Sequence, residues 1–447
     1  MEREYLKILE DALAKLQEGF DSLPNFETAF DAEALRPVLL QVAERMQDNF
    51  PYHHPLYAGQ MLKPPHPVAH LAYCLAMFVN PNNHALDGGR ASSAMEKEAV
   101  AEIAKMFGFP RHLGHLTSSG TIANLEALWI ASQEREGVVL ASEQAHYTHS
   151  RISAVLRLPF ESVPVDRFAR MDMNYLEARL KRGDVGTMVT TLGTTAAGAV
   201  DPLHEIVPLA RKYGAHVHVD SAYGGYFTLA TNLGENARRA FDAIPLADSI
   251  VVDPHKHGLQ PYGCGCVLFA DPAVGRHYKH DSPYTYFSSD ELHLGEISLE
   301  CSRAGAAAVA LWATQKLLPL AAGGEFARGL EAGRSAAITW RGWLENDGWR
   351  VGMPPELDIL LFADAQTDSE RLGKTSNAIF QSAVEHDLHL AVARFPRSLL
   401  EPWWPDIGWR GENAAVLRSC LMKPLHAEWL PAIHERLQKA RRSVIRE

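Results

Sequence analysis

The feature that most constrains the fold of this chain is a repeating alternation between about residues 92 and 270. Short apolar runs alternate there with longer stretches of helical character. The runs are VVLAS, FESVPVD, VGTMVTTLGTT, HVHVDSA, DSIVVDPHK and GCGCVLFAD. Such alternation predicts a mainly parallel sheet covered by helices on both faces. Ligands of such sheets bind beyond the carboxyl ends of the strands, so the residues that follow each run form the candidate site.

The segments on either side of this alternation predict an arm and a second, smaller unit. Near the N-terminus, leucines recur at spacings of three and four with charges between them, which predicts an amphipathic helix. Beyond the apolar helix at 305–320, two apolar runs and one helical stretch predict another α/β unit. We therefore expect a helical arm and pocket segment at 1–65, a large domain at 66–325 and a small C-terminal α/β domain at 326–447.

Composition excludes several classes of function. The 447 residues carry 54 acidic and 43 basic side chains, and the net charge of -11 would repel a nucleic acid backbone. The apolar stretch 71–79 is far shorter than the roughly 20 residues of a membrane-spanning helix, and the charged N-terminus does not resemble a signal peptide. Five scattered cysteines do not form a disulfide framework, so we expect a reducing cytoplasm.

The first candidate motif is HLTSSGTIANLEALWIASQ, in which Ser119, Gly120 and Thr121 precede a long helix that we expect to begin near Ile122. Small hydroxyl residues and a glycine at a helix N-terminus present donors to an anion, and the helix dipole favours a phosphate there. An ordinary Ser or Thr helix cap would explain the same residues.

Three further candidates follow strands of the predicted sheet. Asp220 ends HVHVD, where a carboxylate can pair with a protonated ring nitrogen while Ala222 leaves room for a flat ring; capping of the next helix is the alternative. His146 follows VVLAS and could stack on a ring, act as an acid or base, or be structural. Lys256 lies at the mouth of an apolar strand with two histidines as cationic neighbours, which suits a Schiff-base nucleophile better than a surface lysine.

Together these motifs supply each contact that pyridoxal 5'-phosphate (PLP) requires: an anion cradle, a stacking partner, a carboxylate for the ring nitrogen and an amine for the aldehyde. HVDSAYGGYF, followed by DPHKH with Lys256 placed 36 residues after Asp220, resembles the group II PLP-dependent decarboxylases. This is the aromatic-amino-acid and glutamate decarboxylase family of the aspartate-aminotransferase fold. The resemblance covers about residues 50 to 320. Further matching segments are HPLYAGQM, SSAMEKEAV, TSSGTIANLEAL, SEQAHYTHS, TLGTTAAGAVDPL, CGCVLF and CSRAGAAAVALW.

The resemblance implies a fold and an activity. The fold is the PLP-dependent transferase fold type I, an α/β fold with a mainly parallel mixed sheet between helices, a small C-terminal domain and an N-terminal helical arm. The activity is the release of carbon dioxide from an L-amino acid with an aromatic or acidic side chain, which gives the amine. A homodimer with active sites at the subunit interface is the expected assembly.

The resemblance also implies a role for each candidate residue. Lys256 would form the Schiff base with the cofactor, Asp220 would pair with the pyridine nitrogen, and His146 and Ala222 would lie on opposite faces of the ring. The phosphate would be held by Ser119, Gly120, Thr121 and His255. Thr194 would lie near the ring, Ser302 would contribute from the partner subunit, and Tyr284 or Tyr286 would donate a proton to the product carbanion.

Several alternatives remain at this point. Another PLP-dependent lyase, an aminotransferase or an oxidative deaminase could use the same residues, because the cofactor supplies the electron sink. The spacing His216-x-His218-x-Asp220 would suit a zinc hydrolase, and a non-catalytic binding protein is a further possibility. The substrate pocket is equally open. A flat substrate could contact Tyr52, Tyr57, Trp403 and Trp404, whereas a carboxylate could bind Arg394, Arg397 or Arg418.

Overall fold

The computed structural model describes residues 3–24, 26, 31–279 and 293–445. Seven strands form the large sheet, in the order β1-β7-β6-β5-β4-β2-β3. All its neighbouring strands are parallel except at β7, which is antiparallel to both β1 and β6. The strands are β1 Leu113–Thr117, β2 Val138–Ser142, β3 Phe160–Val163, β4 Val185–Thr191, β5 His216–Asp220, β6 Ser249–Val252 and β7 Gly265–Phe269.

The large sheet is mostly buried on both faces, except at the edge strand β3, because helices from α5 (Gly120–Glu134) to α9 (Glu235–Asp242) connect its strands from β1 to β6. Every residue of β2, β4, β6 and β7 is buried. Successive side chains point to opposite faces of a strand, so Leu140 packs in the main core while Val139 and Ala141 pack in a second cluster with α5 and α6. This arrangement confirms the predicted mainly parallel, mixed α/β sheet between helices, the fold type I architecture.

The helices of the described chain fall into three groups. The first group precedes the large sheet and comprises α1 Arg3–Glu18, α2 Ala32–Met46, α3 Pro67–Met77 and α4 Leu86–Met106. The second group connects the strands of that sheet and comprises α5 Gly120–Glu134, α6 Thr148–Val155, α7 Met173–Leu180, α8 Leu203–Tyr213 and α9 Glu235–Asp242. The third group follows it and comprises α10 Gly305–Leu317, α11 Glu325–Asn346, α12 Ser369–Glu385, α13 Arg397–Leu400 and α14 His426–Ile445.

A second, antiparallel sheet has the order β10-β11-β9-β8. Its core includes Trp340 of α11, Phe362 of the sheet and Leu437 of α14, all fully buried. One of the two apolar runs beyond residue 320, GWRVGMPPELDILLFAD, forms two strands, because paired prolines at 354–355 interrupt it and lack amide donors. The strands are β8 Arg350–Val351, β9 Ile359–Ala363, β10 Ala391–Pro396 and β11 Asn413–Cys420.

The N-terminal arm contains two helices of different character. Helix α1 contacts α3, whereas no residue of α2 is buried. The segment 49–66 that follows contains no helix or regular strand, as its prolines predict. Across the described ranges, none of the helices combines the length and the apolar character that crossing a membrane requires.

Candidate functional site

A cavity of about 190 Å³ lies at the carboxyl ends of β4, β5 and β6. Parallel pairing sets this position, because the register aligns Thr191 with Asp220 and Asp220 with Val251, so the three strands end at one edge. Eight of the residues predicted to bind a cofactor line this cavity. They are Ser119, Gly120, Thr121, His146, Asp220, Ala222, His255 and Lys256.

The N-terminus of α5 forms one wall of the cavity. Ser119 is the cap residue, and its hydroxyl accepts a hydrogen bond from the amide of Ile122 at 3.4 Å. A Cβ atom at Gly120 would lie 2.6 Å from both carboxylate oxygens of Asp253, so only glycine permits this close approach. The N-terminus of α5 therefore has the carboxylate of Asp253 beside it, and the helix dipole favours a negative charge at this position.

Asp220 is buried in the cavity wall and is held by two donors. His149 Nε2 lies 2.7 Å from its Oδ2, and the amide of Ala222 donates to its Oδ1 at 3.1 Å. Burial by itself would raise the pKa of Asp220, but the hydrogen bond from His149, the Ala222 amide and the charge of Lys256 outweigh it and hold the pKa well below 3.8. The residue is therefore a carboxylate, as a pyridinium partner must be.

His146 lies at the boundary between this cavity and the solvent. Its Nδ1 is 2.8 Å from the Thr148 hydroxyl at the start of α6. Burial lowers the pKa of His146 below 6.5, although Asp220 opposes the shift. A neutral, oriented imidazole beside the cavity suits stacking on a flat ring.

Lys256 has an anion, and no cation, as its nearest charged partner. Its Nζ lies 3.0 Å from Asp253 Oδ2, and its side chain is 20% exposed. Burial lowers the pKa of both flanking histidines, so the prediction that they are cations is wrong. The Nδ1 of His255 lies 2.7 Å from the carbonyl oxygen of Cys264, while His257 is fully buried behind the cavity.

Two other predicted residues, Thr194 and Ser302, do not line the cavity. Thr194 is buried in the turn after β4, where its hydroxyl accepts a hydrogen bond from the Ala199 amide at 3.0 Å. Its neighbours Gly193 and Thr195 line the cavity instead. The hydroxyl of Ser302 accepts a hydrogen bond from Asn82 at 3.3 Å. Tyr284 and Tyr286 lie outside the described residues.

Sequence reasoning missed two residues at the centre of the site. His149 is three residues after His146, in the first turn of α6, and its buried ring contacts Asp220. Asp253 is in the same DPHKH segment as Lys256, three residues before it, a spacing that places both side chains in one turn. Asp253 could have been identified from the sequence, because its carboxylate is so close to the candidate nucleophile Lys256. His149 could not, because its contact with Asp220 depends on pairing between distant strands.

A wider opening of about 350 Å³ adjoins the cavity and shares His146 and Thr195 with it. Arg418 of β11 lines this opening and is 5% exposed. Its guanidinium donates to carbonyl oxygens of Gly59, Thr195 and Ala196 at 3.2, 2.6 and 3.0 Å. No ion pair to a carboxylate is formed by Arg418 within the part of the chain that the structure describes.

The other residues considered for a substrate pocket lie elsewhere. Trp404 is buried in the core beside β10, where its indole donates to the carbonyl of Val351. Trp403 packs against Phe168, and Arg397 pairs with Glu401 four residues later. These side chains do not line either cavity.

The residues proposed for zinc are engaged with protein groups. His218 is buried between Ser249 and Asn124, at 2.9 and 2.8 Å from its two ring nitrogens, and burial lowers its pKa to about 3. Asp220 pairs with His149. In the described ranges, no group of three or more metal-binding side chains is brought together.

The cavity fits PLP in its chemistry. An amine, an ionised carboxylate and a helix N-terminus line its walls. Two buried oxygens, Thr191 Oγ1 and Asp253 Oδ1, have no hydrogen-bond partner among the described residues and so are available to a ligand. Asp220 and Ser119 would hold the ring nitrogen and the phosphate, and Lys256 would bind the aldehyde.

Comparison with known proteins agrees with this chemistry. The family model for the pyridoxal-dependent decarboxylase conserved domain matches residues 51–320. An L-tyrosine decarboxylase of Enterococcus faecium is 27% identical over 410 residues, covering 69% of this chain and 67% of the relative. An L-2,4-diaminobutyrate decarboxylase of Acinetobacter baumannii is 31% identical over 276 residues, covering 54% and 53%. The chain thus spans about half to two thirds of the length of these relatives.

Solved structures share the fold. The structure of Oryza sativa TDC with PLP and tryptamine superposes with a TM-score of 0.79 at 17% identity, covering 99% of this chain and 97% of that one. Mouse CSAD in apo form gives the same TM-score at 20% identity, covering 98% and 92%.

Proposed function

The chain belongs to the family of pyridoxal-dependent decarboxylases, and on this premise we propose that it releases carbon dioxide from an L-amino acid in the cavity beside Lys256. It is a carboxy-lyase that uses PLP as its cofactor. The observation that carries the proposal is the convergence of Lys256, Asp220 and the α5 N-terminus on one cavity, although they are far apart in sequence.

The groups that line the cavity have separate functions. When bound, PLP supplies an electron sink for the electrons that remain when the substrate carboxylate leaves. Asp220 keeps a proton on the pyridine nitrogen, because its own pKa is well below the ordinary value and an ionised carboxylate stabilises a cation. His149 supports Asp220 from behind. The start of α5 would hold the phosphate, and Lys256 would hold the aldehyde.

The ion pair between Lys256 and Asp253 bears on the exchange of amines. Asp253 Oδ2 accepts a hydrogen bond from the protonated lysine at 3.0 Å. A positive charge on Lys256 is therefore stabilised by an anion beside it. This contact positions Lys256 at the cavity wall, where it can also transfer a proton.

Arg418 is the residue that best suits a substrate carboxylate. It is the buried guanidinium at the cavity opening, and the carbonyls that hold it leave its positive charge uncompensated. A carboxylate-bearing amino acid would thus be drawn toward the opening and oriented there. Substrates with an aromatic side chain and substrates with an acidic side chain are both compatible with this role of Arg418.

The remaining assignments follow the family. Tyr284 or Tyr286 would donate a proton to the product, Thr194 would lie near the cofactor ring, and Ser302 would contribute from the partner subunit. The chain acts as a cytoplasmic homodimer. Helix α2 supports the proposal of a dimer. Its apolar stripe at spacings of three and four is exposed, which is typical of an interface. The stripe consists of Leu35, Val38, Leu39, Val42 and Met46.

Product analysis tests the proposed reaction. The PLP-loaded protein is incubated with tyrosine, aspartate, glutamate and 2,4-diaminobutyrate, and carbon dioxide and amines are measured. We expect one amine and an equal amount of carbon dioxide from at least one substrate, and a loss of at least a hundredfold in kcat in Asp220→Ala. An oxo acid or aldehyde without an amine would instead identify an aminotransferase or an oxidative deaminase.

A further inference from the structure

A second cavity, larger than the cofactor cavity, lies behind the Lys256 segment. Its volume is about 570 Å³, within the range of sites for small molecules. The wall is formed by the 63–67 segment, the start of α11, and the turn between β11 and α14. Most of the wall is apolar, and its larger side chains are Leu259, Leu318, Phe326, Leu330 and Met422.

Two lysines give this apolar cavity a positive character. Lys423 is 5% exposed, and its Nζ donates to the carbonyl oxygen of Tyr57 at 2.5 Å. Lys63 is partly buried, and its amine has no hydrogen bond or ion pair within the part of the chain that the structure describes. Burial lowers the pKa of Lys63 to about 8 and that of Lys423 to about 7, and repulsion from Lys63 adds to the second shift.

The other charged side chains that line this second cavity lie toward its solvent-exposed rim. Glu325 and Glu428 line the cavity but are exposed, as is Arg328. His53 and His66 also lie along its edge. The acidic side chains that line the cavity are therefore solvated at the rim. The lysine amines lie deeper, where the buried carboxylate of Asp358 attracts Lys63 without forming an ion pair with it.

The second cavity shares a wall with the cofactor cavity. His257, which lines the second cavity, follows Lys256 directly, and its Nε2 lies 3.3 Å from Asp358 Oδ2. Asp358 Oδ1 accepts a hydrogen bond from the hydroxyl of Tyr223 at 2.6 Å. The ring of Tyr223 contacts His257 at 4.6 Å between centroids, and Tyr223 lines the cofactor cavity. A ligand bound against His257 is thus connected to Tyr223 in the wall of the cofactor cavity. The connection consists of the His257–Asp358 contact and the Asp358–Tyr223 hydrogen bond.

We propose that this second cavity binds a small organic carboxylate with an apolar body, and that its occupancy alters the environment of the cofactor at Lys256. The apolar walls accept the body, and Lys63 and Lys423 pair with the carboxylate. An anion between two amines relieves their mutual repulsion and provides Lys63 with a partner. The coupling runs through His257, Asp358 and Tyr223.

Calorimetry with octanoate tests the binding. We expect the PLP-loaded protein to bind octanoate, and 1-octanol, which lacks the charge, to bind at least tenfold more weakly. Lys63→Met should weaken octanoate binding at least tenfold, and Ala332→Phe, which fills the cavity from α11, should do the same without removing a charge. Lys181→Met, at an exposed lysine outside the cavity, is the matched control and should bind like the native protein.

Spectroscopy tests the coupling. Octanoate should change the absorption of bound PLP in the native protein and in Lys181→Met, but not in Lys63→Met or Ala332→Phe. Circular dichroism checks that each variant is folded. Absence of octanoate binding, or equal binding by all variants, would overturn the proposed site. Binding without any change in the cofactor absorption would overturn the coupling.

Discussion

At the scale of single residues, the charge of Asp220 depends on a partner from a distant part of the chain. The carboxylate is buried, which by itself favours the neutral acid, and His149 reverses that preference by donating at 2.7 Å. Asp220 could be identified from its position after a strand and from the small residues near it. His149 could not, because its contact arises only when α6 packs over the end of β5.

We expect His149→Phe to lower the free energy of unfolding by about 3 kcal/mol, because a buried carboxylate then loses its closest donor. Chemical denaturation at pH 7 measures this. His204→Phe is the matched control, since both ring nitrogens of that half-buried histidine lack hydrogen bonds among the described residues. It should change the unfolding free energy by less than about 1 kcal/mol.

The effect of His149→Phe should also depend on pH. The pKa of folded Asp220 lies below 3.8, so the ionised carboxylate stabilises the fold above about pH 4, and this stabilisation is lost as the pH falls below that value. The difference between the native protein and His149→Phe should therefore shrink when denaturation is repeated near pH 3. A difference that stays constant would mean that lost packing, and not the carboxylate, causes the effect.

At the scale of elements, the alternation of apolar runs and helices sufficed to predict the large sheet. Runs such as VGTMVTT carry no charged side chain because parallel strands are covered on both faces, and all seven residues of β4 are buried. The break between β8 and β9 was harder to predict from the sequence, because a loop with paired prolines and the end of a strand have similar compositions. Thr194 shows a further limit: its side chain stabilises its own turn, which spacing alone does not reveal.

The α5 N-terminus gives a prediction at this scale. A Cβ at position 120 would lie 2.6 Å from both Asp253 oxygens, so Gly120→Ala should displace that carboxylate into the phosphate region. We expect PLP affinity to fall at least tenfold, as measured by equilibrium dialysis. Gly342→Ala within α11 is the matched control, because nothing lies within 4 Å of its Cβ position.

Gly342→Ala should leave PLP affinity unchanged and stabilise the protein by about 0.5–1 kcal/mol, since alanine is the better helix former. Unchanged PLP affinity in Gly120→Ala would show that the start of α5 does not bind the phosphate.

At the scale of the whole molecule, the exposed stripe of α2 predicts self-association. Leu39 and Val42 are 65% and 50% exposed, and apolar stripes of this kind are rarely left in water. We expect the native chain to sediment as a dimer and Leu39→Asp/Val42→Asp to sediment as a monomer with reduced turnover. Val155→Asp, at an apolar residue of α6 that is 71% exposed, should remain a dimer. A native monomer would contradict the prediction.

The central claim, that one cavity holds PLP at Lys256, is tested most directly by reduction with borohydride. Reduction fixes a Schiff base as a stable amine, and peptide mass spectrometry then locates the modified lysine. Lys63 and Lys423 are natural competitors, because burial lowers the pKa of both amines. We predict one phosphopyridoxyl group on Lys256 and none in Lys256→Ala. Modification of Lys63 or Lys423 in place of Lys256, or no modification of the PLP-loaded protein, would contradict the account.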